Sequence, residues 1–452
     1  MVHDDLRKKL REIIFANRRS SPALKHESFE RNIEDYLQAE EQKTPYGSCL
    51  VRHDYYPDGY RHGVSDIYSL LNYQPSLVSK LTNNSSLSKR ARKSLREHRN
   101  LNQIQIERHN NIYSKIKFHE YLFLDIEATG LSGGVGVYPF LIGIGFFGSQ
   151  DFHIYQLFMR DYHEEQAVLY LLGKFIKDKR LKGLVTYNGK AYDVNVLNTR
   201  RIVSGIELPV SDMPNFDLLY PVRKLFKKRI GDCSLTSIER EILNFYRVDD
   251  IPGYKVPEVY FDFVRRGFSE PMRKVFIHNL YDVLSMVAIA ERLCSFYSDP
   301  IELVSEPEDL FQIAALYEIN GSFKDAKKIY SYLSSCQGSF NYKAKMAMSF
   351  RLKKERNLEE ASGIWKECIS NHPKISIVPY IELAKYYEHQ IKDYRNALLY
   401  TQKGLYLANL FCLSHSNSYE FDKRIQRLNK KILKLENEKD HKDKESDDCR
   451  LG

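Results

Sequence analysis

EYLFLDIEATGLSGG, residues 120–134, sets four apolar side chains in five ahead of two acids, Asp125 and Glu127, then a threonine and a glycine-rich run. On an extended chain residues i and i+2 face the same way, so Asp125 and Glu127 share one face and Leu124 and Ile126 the other. Two carboxylates held that close repel each other unless a proton, a basic side chain or a divalent cation stands between them. Alone the pair decides little, since many such pairs sit on solvated strand edges.

Working outward, VYPFLIGIGFFG (137–148) and DFHIYQLFM (151–159) read as a second and a third strand, and their short connections predict an antiparallel meander. HEEQAVLYLLGKFIKD (163–178) reads as a helix with acids in its first turn. GLVTYNG (183–189) is a fourth strand, and AYDVNVLNTRRI (191–202) opens the next helix. FDLLYPVRKLF, SLTSIEREIL and the long periodic PMRKVFIHNLYDVLSMVAIAERLCSFY follow. A meander followed by alternating helices and strands predicts an α/β mixed sheet with flanking helices. LIGIGFFG spells G-x-G-x-x-G but runs into another strand, and NGKAY lacks the rest of a phosphate loop, so neither is a nucleotide motif.

Two later acids raise the value of the first pair. Asp193 sits early in a helix just after a strand and a glycine turn, where side chains project beyond a sheet edge. Asp282 lies among Val275, Phe276, Ile277, Val283, Leu284 and Met286, and a carboxylate in such company needs a partner. His278, one helical turn earlier, is on the same face.

FLDIEATGL resembles the first motif of the four-acid (DEDD) exonucleases of the ribonuclease H-like fold, YNGKAYDVNVL the second and HNLYDVLSM the third. FDLLYPVRKLF, CSLTSIEREIL and DIPGYKVPEVYFDF are arranged as in bacterial YprB-like proteins, which place such a domain ahead of tetratricopeptide-like repeats. The resemblance covers residues 118–298 well and the repeats loosely. It implies a metal-dependent exonuclease, 3′-to-5′ on single-stranded DNA or RNA ends, in which Asp125, Glu127, Asp193 and Asp282 hold two divalent ions, Mg²⁺ or Mn²⁺. It implies that His278 orients or deprotonates the attacking water, for which an unperturbed pKa of about 6.5 is suited. Related enzymes place His five residues, or Tyr four residues, before the last acid; here His278 is four before and Tyr281 one before, so helical geometry favours His278. The resemblance also implies that Thr129, Gly130 and Leu131 touch the terminal nucleotide and that Asn188 contacts nucleic acid. A flexible hairpin loop would read the same way.

The formal net charge is +9, and residues 1–117, with 21 basic and 14 acidic side chains, carry most of it. A short amphipathic helix is expected at DDLRKKLREIIFANRR. KRARKSLREHR (89–99) has six basic residues and one acid. Such a run is usually a solvated helix face, but beside a nuclease site Lys89, Arg90, Arg92 and Lys93 would grip a nucleic-acid backbone. Beyond Ser298 the strand signals stop. FKDA (323–326), LEEA (358–361) and YRNA (394–397) recur in a helical region with a period near that of tetratricopeptide repeats, each with a small alanine for close helix approach. FDKRIQRLNKKILKLENE predicts a capping helix, and the last dozen or so residues have the composition of a disordered tail.

The expected organisation is a basic N-terminal extension (1–117), the ribonuclease H-like domain (118–298), an all-α tetratricopeptide-like array (306–412), and a helix with a charged tail (413–452). The array would offer a surface to a protein partner. Seven scattered cysteines without a CxxC predict no disulfide framework or zinc site and suit a reducing compartment. No run approaches membrane-spanning length and no secretory signal is readable, so a cytoplasmic location and no membrane partner are expected. Two competing functions remain readable in the sequence: a binding scaffold built on the repeats, and a structure-specific endonuclease.

Overall fold

The computed structural model describes residues 33–82, 113, 115–130, 133–372, 375–410 and 415–448. The helix expected at residues 4–19, the basic segment with Lys89, Arg90, Arg92 and Lys93, and Leu131 lie outside the described residues.

One sheet organises the N-terminal two thirds of the chain. Its strands are β1 (Glu40–Thr44), β2 (Gly47–Pro57), β3 (Tyr121–Ala128), β4 (Pro139–Phe147), β5 (Asp151–Phe158), β6 (Gly183–Thr186) and β7 (Asn215–Asp217). Their spatial order is β1-β2-β5-β4-β3-β6-β7. The meander β3-β4-β5 is antiparallel as its short loops require, and β6 and β7 join β3 in parallel. Sequence reading anticipated β3 to β6 but assigned no strand to residues 40–54. There β1 and β2 extend the antiparallel edge, β2 pairing with β5 from Leu50 opposite Phe158 to Pro57 opposite Asp151.

The main helices of this region are α1 (Glu165–Asp178), α2 (Asp193–Ser204), α3 (Leu219–Ile230), α4 (Val256–Arg266) and α5 (Met272–Ser298). The alternation along β3 divides two cores. Leu122, Leu124 and Ile126 join the cluster of α1, α2 and α4, while Tyr121 and Phe123 join that of α3 and most of α5. Asp125 and Glu127 continue the Tyr121–Phe123 face to the point where the apolar packing ends. Gly143, opposite Asp125, and Gly145 in the LIGIGFFG stretch let α5 lie close on the sheet. A Cβ on Gly143 would stand 2.2 Å from Asn279 Oδ1, and one on Gly145 2.7 Å from Val283. These glycines serve helix packing, which gives the fingerprint-like spacing a structural reason.

A run of helices completes the chain: α6 (Pro307–Ile319), α7 (Phe323–Ser335), α8 (Ser339–Lys354), α9 (Leu358–Asn371), α10 (Val378–Tyr386), α11 (Tyr394–Leu410) and α12 (His415–Asp448). Each packs on the next. The recurring alanines Ala326, Ala361 and Ala397 are all fully or almost fully buried, so the period read in the sequence marks helix contacts. Trp365 fills the α8–α9 seam and donates from Nε1 to Ser349 Oγ at 2.8 Å. The apolar cluster under β3 runs on through α5 into α6 and α7, taking in Leu310, Ile313, Ile329 and Leu333. Helix α12 continues to Asp448, into the segment whose composition predicts no order.

Glu388, in a π-type turn after α10, anchors α12. Its side chain is fully buried and accepts from Arg427 at 2.8 and 2.9 Å and from Lys431 at 2.9 Å. Burial opposes its charge, but the two cations outweigh this and hold the carboxyl down to about 2. A depressed folded-state pKa stabilises above the ordinary carboxylate range and ceases to do so as pH falls toward the depressed value. Glu388→Gln is therefore expected to lower the melting temperature at pH 6, with the gap to wild type closing between pH 4.5 and 2. Circular dichroism melts across that range check it; a gap independent of pH would contradict the assignment.

Candidate active site

Four acids from three elements meet at the carboxyl end of β3. Asp125 is fixed by Asn279 on α5, whose Nδ2 donates to Asp125 Oδ2 at 2.8 Å and to the Asp125 carbonyl at 3.3 Å. Asn279 is itself oriented by Gln156 of β5, which donates to its Oδ1 at 2.9 Å and to the Phe276 carbonyl at 2.8 Å. Gly143→Ala should push Asn279 off Asp125. A loss of roughly 1–3 kcal/mol from overpacking is expected; unchanged chemical unfolding would refute the contact.

Asp193 is the first residue of α2 and is buried. Strand β6 pairs with β3 only along Tyr121–Phe123, so the Ile126 amide beyond it has no strand partner on that side; Asp193 Oδ1 accepts it at 3.1 Å. The carboxylate thus completes the ladder of the central strand, as a buried N–H requires.

Asp282 and His278 lie one turn apart on α5, with His278 Nε2 3.5 Å from Asp282 Oδ2 and 3.9 Å from Glu127 Oε1. One ligand atom each from Glu127, His278 and Asp282 lie within 4.8 Å of one another. His278 Nδ1 is 2.8 Å from Asp250 Oδ1, which fixes the ring. Tyr281 instead packs edge-on against Phe245.

Arg247 is the residue that sequence reading missed. Its guanidinium, only 5% exposed, donates to Glu239 (Nε to Oε2, 2.7 Å), to Asp282 Oδ1 and, at 3.3 Å, to Asp250. It sits in a loop without periodicity, and nothing in FYRVDDIPG distinguishes it from a surface arginine.

Thr129 and Gly130 follow β3 directly. The Thr129 hydroxyl accepts the Tyr138 amide at 2.9 Å, and the Gly130 carbonyl accepts the Tyr192 hydroxyl. Asn188 adopts a left-handed conformation with φ 67°, and its amide donates to Asp217 Oδ1 at 2.9 Å. Both loops border the acids through Glu127 and Asp193.

Burial raises the Asp125 carboxyl well above the ordinary range, and Asp282, Asp193 and Glu127 add to it. Burial also raises Glu127 and Asp193; Asp282 adds to both, while His278 opposes the shift at Glu127 and backbone hydrogen bonds oppose it at Asp193. For His278 burial disfavours the charge, yet Asp282, the bond to Asp250 and Glu127 outweigh it and raise the imidazole to about 9. The cluster therefore has more negative charge than its two cationic side chains comfortably neutralise. Oxygen donors in excess, with one imidazole at the margin, fit a hard divalent cation.

Residues 122–294, from the central strand to α5, match the family model described as the RNase_H superfamily. Over most of its length the chain is similar to a protein of Bacillus subtilis (strain 168), "Uncharacterized protein YprB": 29% identity over 385 residues, 85% of this chain and 86% of that one. Among solved structures it is similar to the family B DNA polymerase from the hyperthermophilic archaeon Pyrobaculum calidifontis, with 20% identity and a TM-score of 0.32. That match covers 44% of this chain and only 29% of the polymerase. Among the described residues no helix is long and apolar enough to cross a membrane, and Cys49, Cys233, Cys294, Cys336 and Cys368 are free thiols.

Proposed function

We propose that the chain is a divalent-cation-dependent 3′-to-5′ exonuclease that hydrolyses phosphodiester bonds at single-stranded nucleic-acid ends. The observation that carries this is the grouping of Glu127, His278 and Asp282, one ligand atom each within 4.8 Å of one another, with Asp125 buried close enough to Asp282, Asp193 and Glu127 for their charges to raise its carboxyl. These four carboxylates would hold two cations, Mg²⁺ or Mn²⁺, whose chemistry when bound is to acidify water and neutralise charge on the phosphodiester.

The protein's own groups supply position. Asn279 and the Ile126 amide fix Asp125 and Asp193, and Asp250 holds His278 so that Nε2 addresses the acid side. A histidine raised to about 9 keeps its proton near neutral pH while the acids around it are charged. We therefore assign it the role of orienting water and passing a proton at Nε2, with basicity set by how far its carboxylate neighbours are neutralised. Thr129, Gly130, Leu131 and Asn188 would border the terminal nucleotide. Residues 118–298 would form the catalytic unit and the tetratricopeptide-like helices of 306–412 a partner surface.

The test is digestion of 5′-labelled single-stranded DNA and RNA with free or blocked 3′ ends, in Mg²⁺, Mn²⁺ or chelator. Stepwise shortening from free ends, absent in chelator and on blocked ends, is expected. No hydrolysis with any metal would end the reading, and cutting of blocked strands would replace it with an endonuclease.

A further inference from the structure

Asp217, at the end of β7, is almost fully buried and accepts three backbone amides: Asn188 at 2.9 Å and Leu219 at 3.1 Å on Oδ1, and Lys190 at 3.1 Å on Oδ2. This one carboxylate ties the loop that precedes Asp193 to the start of α3. Across that junction Lys190 Nζ stands 5.7 Å from the ring centroid of Tyr220, which is 45% exposed. Helix α3 then carries Arg223, Lys224, Lys227, Lys228 and Arg229 and no acid. Tyr220, Arg223 and Lys227, spaced by three and four, lie along one helical face. Arg223 and Lys227 are exposed and have no ion-pair partner among the described residues, whereas Arg229 is engaged by Asp309 at 2.7 Å. An exposed ring between unpaired cations, leading away from an acid cluster, matches what a single strand needs: a face for base stacking and charges at phosphate spacing.

We propose that Lys190, Tyr220, Arg223 and Lys227 form a track that holds single-stranded nucleic acid as it leaves the acid cluster. The proposal rests on the nuclease reading for its ligand, but it is tested by binding rather than turnover.

The experiment measures fluorescence anisotropy of 5′-fluorescein 12-mers of oligothymidylate and oligouridylate on the full chain carrying Asp125→Asn, over a range of salt. Adding Arg223→Glu with Lys227→Glu should weaken binding at least tenfold. It should also flatten the plot of log affinity against log salt by about 1.4, since each single-strand phosphate contact contributes about 0.7. Tyr220→Ala should weaken binding roughly fivefold or more with little change in salt slope, and Tyr220→Phe should bind like the parent. A matched charge reversal on α12, Lys423→Glu with Lys430→Glu, controls for net charge and should have the smaller effect. Unchanged binding in the α3 variants, a larger loss from the α12 pair, or no binding by the parent each overturns the track. Failure of the nuclease reading shows separately, as absence of hydrolysis by the wild-type chain.

Discussion

Asp125→Asn is expected to abolish nucleic-acid hydrolysis, by on the order of a thousandfold or more, while leaving the chain at least as stable as wild type. The two halves of that expectation have one cause. Asp125 sits where burial and three neighbouring acids already disfavour its charge. Asparagine has nearly the same shape, and its side-chain oxygen can still accept from Asn279. Removing the charge therefore relieves repulsion in the cation-free protein. On the proposed reading the same change would remove a ligand from the cations, whose charge stabilisation in the transition state would be worth several kcal/mol. Activity on end-labelled strands and melting temperature, measured on one preparation, check it. Retained hydrolysis would remove Asp125 from the site, and a clear drop in melting temperature would show that its charge is structural.

Arg247→Met should produce the largest loss of stability of any single change at the site. The guanidinium is enclosed by Glu239, Asp250 and Asp282, and Glu239 is almost completely buried. Without Arg247, Glu239 keeps the Ser285 hydroxyl as partner but loses its counter-charge. Breaking a buried pair from one side costs about 3–5 kcal/mol, because the remaining charge is stranded. Adding Glu239→Gln should recover part of that cost, since the two residues act as a pair. Arg247→Lys should fall between, keeping a charge but not the fork that spans Glu239 and Asp282. Thermal unfolding of the three variants decides the matter; a single mutant that melts with wild type would show that the network carries no net stability.

The acids of the site could be read from sequence because their surroundings contradict them. Asp125 and Glu127 interrupt an apolar strand and Asp282 an apolar helix, and each contradiction marks a partner elsewhere. Asp193 was visible through its position after a strand and glycine turn. The groups that hold these acids were not visible, because each is locally ordinary. Asn279 is an uncharged amide next to His278 on α5, Gln156 an alternating position on a strand, and Arg247 and Asp250 lie in an aperiodic loop; their roles come from long-range packing alone. Gly143 carried a signal, but its spacing suggested nucleotide binding before the α5 contact gave it a reason. The missed strands have similar causes. On β2 only Cys49 and Leu50 are fully buried, so the alternation is faint, and β7 has three residues, too few to show a period. The Arg247 result also bears on the histidine: sequence reasoning started from an unperturbed imidazole, whereas the structure surrounds it with Asp250, Asp282 and Glu127.

Phe123 of the central strand and Leu333 of the second C-terminal helix belong to one unbroken apolar cluster. The front half of this chain is consequently no detachable cassette. A gene fragment ending near residue 305 would encode a polypeptide with its greasy underside bare, prone to clump or be degraded. The helices behind the sheet are thus no optional accessory; their first duty is to close the protein.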